Sequence, residues 1–250
     1  MQTKIPIKHL FCFCVLLFNI STIDAKVTIE ELKKLGKTNT IFTPMGSKRA
    51  GNSDSTIPAW TGGIKKFPAG YKQGDFHPFP FPEDKIIFTI NSNNYKNYKK
   101  KLSVGLMGLF KTFPKSFKMN IYTTHRTASY PEYVYDALIE NAKHAELVND
   151  GNGFINAKIT SPFPIPKNGL EAIQNHSVHY RGKYFVRHYA QASPTVSGDY
   201  TLIKIYEKVF LPYADPEVTH ENIKKKNIFA YFLQTIQSPS RFICQKISGI

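Results

Sequence analysis

Three groups of residues have types and spacings from which chemistry can be built. His125, Ser129 and Asp136, with Arg126 alongside, contain the members of a Ser/His/Asp hydrolase set. No Gly-x-Ser-x-Gly elbow accompanies them to present the serine, and Cys244 has no nucleophile-like neighbours. His176 and His179 lie three apart, so one helix face can present both, and His188 follows on the next segment. Zinc would need a Cys pair, a His-Glu-x-x-His motif or a carboxylate at helical spacing. Glu171, five residues before His176, is on the wrong side for joint ligation, so packing or surface roles are expected for these histidines. Lys167-Asn168-Gly169-Leu170-Glu171 places one lysine and one glycine ahead of a helix. Its free amides suit a single anion, but Walker and Rossmann loops need several glycines at fixed offsets. No catalytic residue, metal or cofactor is expected from these patterns.

The elements that would position such residues are legible in part. Thr28-Ile29-Glu30-Glu31 is a capping box, predicting a short helix to Leu35 that stops at Gly36. Residues 42–82 are dense in Gly, Pro, Ser and Asn and predict irregular structure. Trp60, Phe67, Tyr71, Phe76, Phe79 and Phe81 make that stretch too aromatic for a solvated linker, so it should be pinned to a folded body. Ser92 and Ser103 read as N-caps of two short helices, the second over Val104 to Thr112 with Leu102, Leu106, Leu109, Phe110 and Phe113 as a core stripe. Pro131 opens a helix over 132–142 with Val134, Leu138 and Ala142 on one side, and Asp150-Gly151-Asn152-Gly153 breaks the chain. Pro162, Pro164 and Pro166 hold an extended segment that supplies few amides to any ladder and leads into a helix over 169–179. Residues 183–192 and 200–211 alternate as strands, and Ser193 to Gly198 has turn chemistry, predicting an antiparallel hairpin. Leu202, Ile203 and Ile205 are apolar on both faces, which predicts cover on both sides. Residues 220–236 read as an amphipathic helix packed across a sheet, with Phe229, Phe232, Leu233 and Ile236 on one side.

The opening residues have the pattern of a secretory signal peptide: Lys4 and Lys8, then the apolar run Leu10 to Phe18, then a short polar tail, with cleavage expected between Ala25 and Lys26. The run is about half of the roughly 20 residues of a spanning helix, so no membrane span is expected. Cys12 and Cys14 leave with the signal, and Cys244 alone cannot close an internal disulfide; a small buried hydrophobe is its expected role. The chain carries 33 Lys+Arg against 18 Asp+Glu, a formal net charge of +15. Such a surface attracts anions. With export, anionic lipid headgroups, lipopolysaccharide or cell-wall polymer are the expected partners in place of nucleic acid, and a solvated surface with no dedicated partner is the alternative.

Strings spread along the chain resemble one family. They include Asn52 to Gly63 around Trp60, Pro68 to Asp75, Thr124-His125-Arg126, Tyr130-Pro131, Gly151-Asn152-Gly153, Pro162 to Ala172 with Pro164, Pro166, Asn168 and Gly169, Asn175-His176, Tyr180-Arg181-Gly182 and Gly198-Asp199-Tyr200. In order and spacing these are similar to exported proteobacterial proteins classed as domain-of-unknown-function family 1329 and labelled outer-membrane lipoprotein-sorting proteins. The resemblance implies a periplasmic α+β protein with a curved, mostly antiparallel sheet, open like a half-barrel, in the manner of lipoprotein carriers. It implies no catalytic residues; Trp60, His125, Arg126, Pro164, Pro166, Asn168, Gly169, His176 and Arg181 are structural motif positions. Family members continue beyond the point where this sequence stops, so the reading is of a C-terminally truncated chain lacking the later strands. The organisation expected is a signal over 1–25, a helix and irregular aromatic segment over 26–90, and a helical and sheet body over 91–250. The expected function is a non-enzymatic binder or carrier of a lipid or lipoprotein acyl chain, with an anionic envelope surface or an envelope membrane protein as further partner. Phe185, Tyr189, Tyr200, Leu202, Ile203, Ile205 and Tyr206 are the expected cavity or core wall. An envelope hydrolase and an inactive truncated remnant are the alternatives.

Overall fold

In the computed structural model, residues 27–72, 74–225, 230–237 and 244–245 are described, the last 224–225, 230–237 and 244–245 by backbone alone. The expected signal and its cleavage point at Ala25 and Lys26 lie outside these residues, as does the side chain of Cys244. The fold is α+β, with helices α1 (Ile29–Leu32), α2 (Val104–Thr112), α3 (Glu132–His144), α4 (Gly169–Ser177) and α5 (His220–Lys225). Two short antiparallel hairpins pair β1 (Phe88–Ile90) with β2 (Met119–Ile121) and β3 (Glu146–Val148) with β4 (Gly153–Ile155). The main sheet is an antiparallel meander, in the order β5 (Tyr184–Pro194), β6 (Tyr200–Phe210), β7 (Ala230–Gln237) and β8 (Cys244–Gln245), and it does not close.

Helix α3 organises the core because its apolar residues recur on one side. Val134, Tyr135, Ala137, Leu138 and Ala142 are buried, and they gather Trp60, Ile159 and Val218 from three distant segments. The irregular stretch is thereby pinned to the body as its aromatic content predicts. Trp60 meets Tyr135 edge to face at 6.2 Å, and its indole N–H donates to the Ala128 carbonyl at 2.8 Å. Gly63 (φ +70°) lies so close to this turn that a Cβ would come within 2.1 Å of the same carbonyl oxygen.

Asn141, on the same helix, is fully buried and uses both ends of its amide. Its Nδ2 faces the carbonyls of Lys158, Thr160 and Ser161 at 2.9, 3.4 and 3.2 Å, and its Oδ1 accepts the Lys158 amide at 3.1 Å. The clamped segment contains Ile159 at φ +72°, a conformation that a β-branched residue rarely adopts. Tyr213, from the turn after β6, completes the knot by donating its hydroxyl to Thr160 O at 2.7 Å, while its own carbonyl accepts the Ile159 amide. Burial pushes the Tyr213 phenol well above its ordinary range, so it stays a donor.

The proline-rich run follows directly. Pro162 and Pro164 lack amides, and the one amide between them, on Phe163, is taken by Asn175 Oδ1 at 2.8 Å while Asn175 Nδ2 returns to Phe163 O at 2.6 Å. Gly46 (φ +80°) packs on this run so tightly that a Cβ would fall 1.6 Å from Pro164 O. Asn168 caps α4 by accepting the Glu171 amide at 2.9 Å, and the buried Glu171 accepts the Lys167 amide at 2.6 Å. The stretch is therefore a rigid entry to α4, as its prolines predict.

Four local expectations are corrected. Residues 220–236 are not one helix: α5 ends at Lys225, and 230–237 form β7, whose residues pair with β6 from Phe210↔Ala230 to Lys204↔Gln237. Tyr231, Phe232 and Ile236 suit a strand as well as a helix face, and the free edge of β6 decided between them. Strands β7 and β8 also stand where no later strand was expected. Ser92 caps no helix; its hydroxyl donates to Pro114 O at 2.8 Å, and residues 95–101 form a 3₁₀ turn. In the α2 stripe only Phe110 is fully buried, whereas Leu109 and Phe113 are exposed. On β6, Tyr200 and Leu202 are exposed, so the protein itself covers one face of that strand.

Because Asn141 satisfies four backbone groups that no other residue can reach together, Asn141→Ala should lower stability by about 2–4 kcal/mol, and Tyr213→Phe by about 1–2 kcal/mol. Urea unfolding midpoints of the two variants check this ordering.

Candidate functional site: an apolar cleft beside a lysine-rich turn

An apolar cleft lies away from the main sheet, on the β1–β2 pair. The β1–β2 hairpin forms its floor, because in the register Phe88↔Ile121 and Ile90↔Met119 these four side chains project to one side. Tyr98, Lys101 and Leu102, on and just after the 3₁₀ turn Tyr95–Lys101, form one wall; Phe88 stacks on Tyr98 at 5.2 Å. Ser55, Thr56, Thr123 and Thr124 place hydroxyls on the rim. The cleft has a volume of about 550 Å³, within the range of small-molecule sites. Beneath it Ile90, Tyr95 and Phe110 form a buried cluster, with Tyr95 and Phe110 stacked at 5.4 Å.

Lys101 is the cleft's cation. It faces Asp54, on the loop that carries Ser55 and Thr56, and contributes to holding the Asp54 carboxyl below the usual range, after the larger effect of hydrogen bonds from Thr56. Those bonds run from the Thr56 hydroxyl at 2.6 Å and its amide at 3.2 Å, so Asp54 is occupied within its own turn. Apolar walls, a hydroxyl rim and one cation suit an amphiphile with an anionic or polar head.

The seven residues expected to form a cavity or core wall are divided between the two faces of the β5–β6 hairpin. Pairing of Tyr189 with Ile205 and Gln191 with Ile203 puts Phe185, Tyr189, Ile203 and Ile205 on the covered face of the hairpin. Pairing of His188 with Tyr206, Ala192 with Leu202 and Pro194 with Tyr200 puts Tyr200, Leu202 and Tyr206 on the opposite face. Phe185 packs against Val209, Leu211 and Ala214, and the space that it lines with them and with Arg181 is about 30 Å³, room for little more than a water. On the same face the half-exposed Arg187 pairs with the buried Glu207.

The hydrolase set is likewise dispersed. His125 stacks on Phe81 at 3.5 Å and its Nε2 meets Asp84 Oδ2 at 2.8 Å. Arg126 donates to Arg49 O at 2.9 Å and to Ser47 Oγ at 3.3 Å, whereas Asp136 pairs with Lys37 at 2.6 Å. His125 and Arg126 thus tie the irregular segment to the extended stretch between β2 and α3. His179 Nδ1 lies 2.5 Å from the His176 carbonyl, and His188 stands on the exposed sheet face against Tyr206. Among the described residues no group of three or more His, Cys, Asp or Glu is arranged to hold a metal. Pro166, Asn168, Gly169, His176 and Arg181 are exposed, around α4 and the entry to β5.

The family described as "Protein of unknown function (DUF1329)" matches residues 89–248. The chain belongs to this family. It is 39% identical over 217 residues to "Uncharacterized protein PA3922" of Pseudomonas aeruginosa, an alignment covering 87% of this chain. The chain spans about half the length of that relative, 47%. No solved structure matches it. Among the described residues no helix is long and apolar enough to cross a membrane.

The cleft has no single signature in the sequence because its walls come from four short pieces, residues 55–56, 87–90, 98–102 and 119–124, with no common period. The signal available was Ile86-Ile87-Phe88, three apolar residues in a row just before a short strand.

Removing the guanidinium of Arg126 leaves two acceptors of the irregular segment without it. Arg126→Ala should cost about 1–2 kcal/mol, read from the denaturation midpoint followed by fluorescence of the single tryptophan, Trp60.

Proposed function

We propose that this chain is a periplasmic, non-enzymatic binding or carrier protein for a lipid or a lipoprotein acyl chain in envelope biogenesis. The observation that carries this reading is the apolar cleft itself, floored by Phe88, Ile90, Met119 and Ile121 and headed by Lys101. Methylenes entering it leave water at about 0.8 kcal/mol each, and the ammonium and rim hydroxyls receive the head. Support for a binder over an enzyme of hydrolase type comes from His125, Arg126 and Asp136, each engaged with a different partner. The secretory pattern at the start of the sequence supports the compartment. Because the chain spans half of its relative, a whole carrier in this reading includes a further portion of the family's length.

The test is native mass spectrometry of protein purified from the periplasm of its own host, with delipidated protein titrated with a fatty acid in parallel. A retained fatty acid or phospholipid is expected. Ile87 lines the cleft and is 61% exposed, so Ile87→Asp is tolerated by the fold but puts a carboxylate among the acyl contacts. It should weaken fatty-acid binding by about tenfold or more. A protein that is always recovered empty, or a variant that binds as the parent does, overturns the reading.

A further inference from the structure

Charge is distributed along this chain with marked asymmetry. From Lys85 to Pro131 the sequence carries eight lysines and one arginine, and no Asp or Glu. This stretch builds the β1–β2 hairpin, the 3₁₀ turn and α2, which pack around their own buried cluster of Ile90, Tyr95 and Phe110. All eight lysines are exposed, and among the described residues none is held in an ion pair. Elsewhere lysines do find carboxylates: Lys37 bridges Glu132 and Asp136, Lys143 meets Glu140, and Lys183 meets Asp215. The lysines of this stretch have none of their own to meet.

Apolar side chains stand exposed among them. Ile86 and Ile87 precede β1, Phe88 stacks on Tyr98 in the middle of the lysine turn, and Val104, three residues after Lys101, is 83% exposed. A protein surface that is only solvated does not place Ile, Phe and Val beside a run of four cations within one turn. Interleaved apolar and lysine side chains match the boundary between headgroups and acyl chains, where the apolar groups enter and the ammonium groups stay at the level of the phosphates.

We infer that the β1–β2 hairpin and its 3₁₀ turn form a docking surface for an anionic lipid bilayer, with Lys96, Lys99 and Lys100 on headgroup phosphates and Ile86, Ile87, Phe88 and Val104 inserted shallowly. Charge complementarity identifies the partner: eight exposed lysines, with no acidic residue anywhere from 85 to 131, give the surface its attraction, and the exposed apolar residues distinguish a bilayer from a polyanion. Docking here brings the mouth of the cleft to the membrane plane, because Ile87, Phe88 and Lys101 belong to both. The inference does not depend on what the cleft holds.

Co-sedimentation of the full chain with vesicles of phosphatidylglycerol mixed into phosphatidylcholine tests it, alongside pure phosphatidylcholine vesicles and a DNA duplex at the same salt. Binding to the anionic vesicles that weakens as salt rises is expected. Each lysine near such a surface contributes about a fivefold change in affinity, so Lys96→Gln/Lys99→Gln/Lys100→Gln should bind about a hundredfold more weakly. The triple variant Lys33→Gln/Lys34→Gln/Lys66→Gln removes equal charge elsewhere and should retain most of the binding. Val104→Ser should weaken vesicle binding at high salt, where the electrostatic part is screened. Equal binding to phosphatidylcholine, equal losses in the two triple variants, or tighter binding to the duplex than to the anionic vesicles would overturn the inference.

Discussion

One buried amide holds the centre of this molecule together. Asn141 sits on α3 with three carbonyls and one amide of residues 158–161 converging on it. A helix cannot offer hydrogen bonds sideways through its backbone, so a side chain with both donor and acceptor is needed to bind an irregular segment to its buried face. Tyr213 reaches the same segment from the end of β6. Helix, irregular segment and sheet are thereby fastened at one point, and the strained φ of Ile159 is the local cost of bringing them together. Everything downstream is placed from there: the proline run, α4, and the register with which β5 starts its ladder.

The same economy governs the N-terminal half. Residues 42–82 have almost no regular structure, yet they are held by a few strong polar contacts from residues far along the chain. Arg49 donates to the carbonyls of Gly36 and Thr40 at 2.7 and 3.0 Å and lies 5.1 Å from the centre of the Trp60 ring. Arg126 then binds Arg49 O, and Trp60 binds Ala128 O. Glycines at 46 and 63 permit backbone to touch backbone where any side chain would collide. The cleft exists because this irregular wall is fixed: Ser55 and Thr56 would otherwise have no defined position opposite β1 and β2.

The arrangement separates two duties that a carrier reading would combine. The apolar cleft is built on the β1–β2 pair, whereas Phe185 and Val209 on β5 and β6 pack into a core cluster and Arg187 pairs with Glu207 on the same face. The cationic, partly apolar surface adjoins the cleft and not the sheet. A lipid entering from a bilayer would cross only the width of one 3₁₀ turn.

Much of the fold was legible locally. The capping box at Thr28, the Ser103 cap, the apolar side of α3 and the alternation of β5 and β6 depend on neighbours within a turn or on a period near two, and they stand where the residues alone put them. The motif strings also identified the family before any comparison of whole chains. What tertiary structure decided was every choice between equal local options. Phe232 and Ile236 fit either a helix face or a strand, and the open edge of β6 made 230–237 a strand. Ile203 and Tyr206 are equally suited to a cavity wall, and pleating sent them to opposite faces of the sheet. The cleft has no periodic signature, since its walls are gathered from residues 55 to 124 by contacts that only the folded chain makes. Composition and local pattern depend on a residue's neighbours in sequence, whereas a concavity depends on which distant surfaces fail to touch.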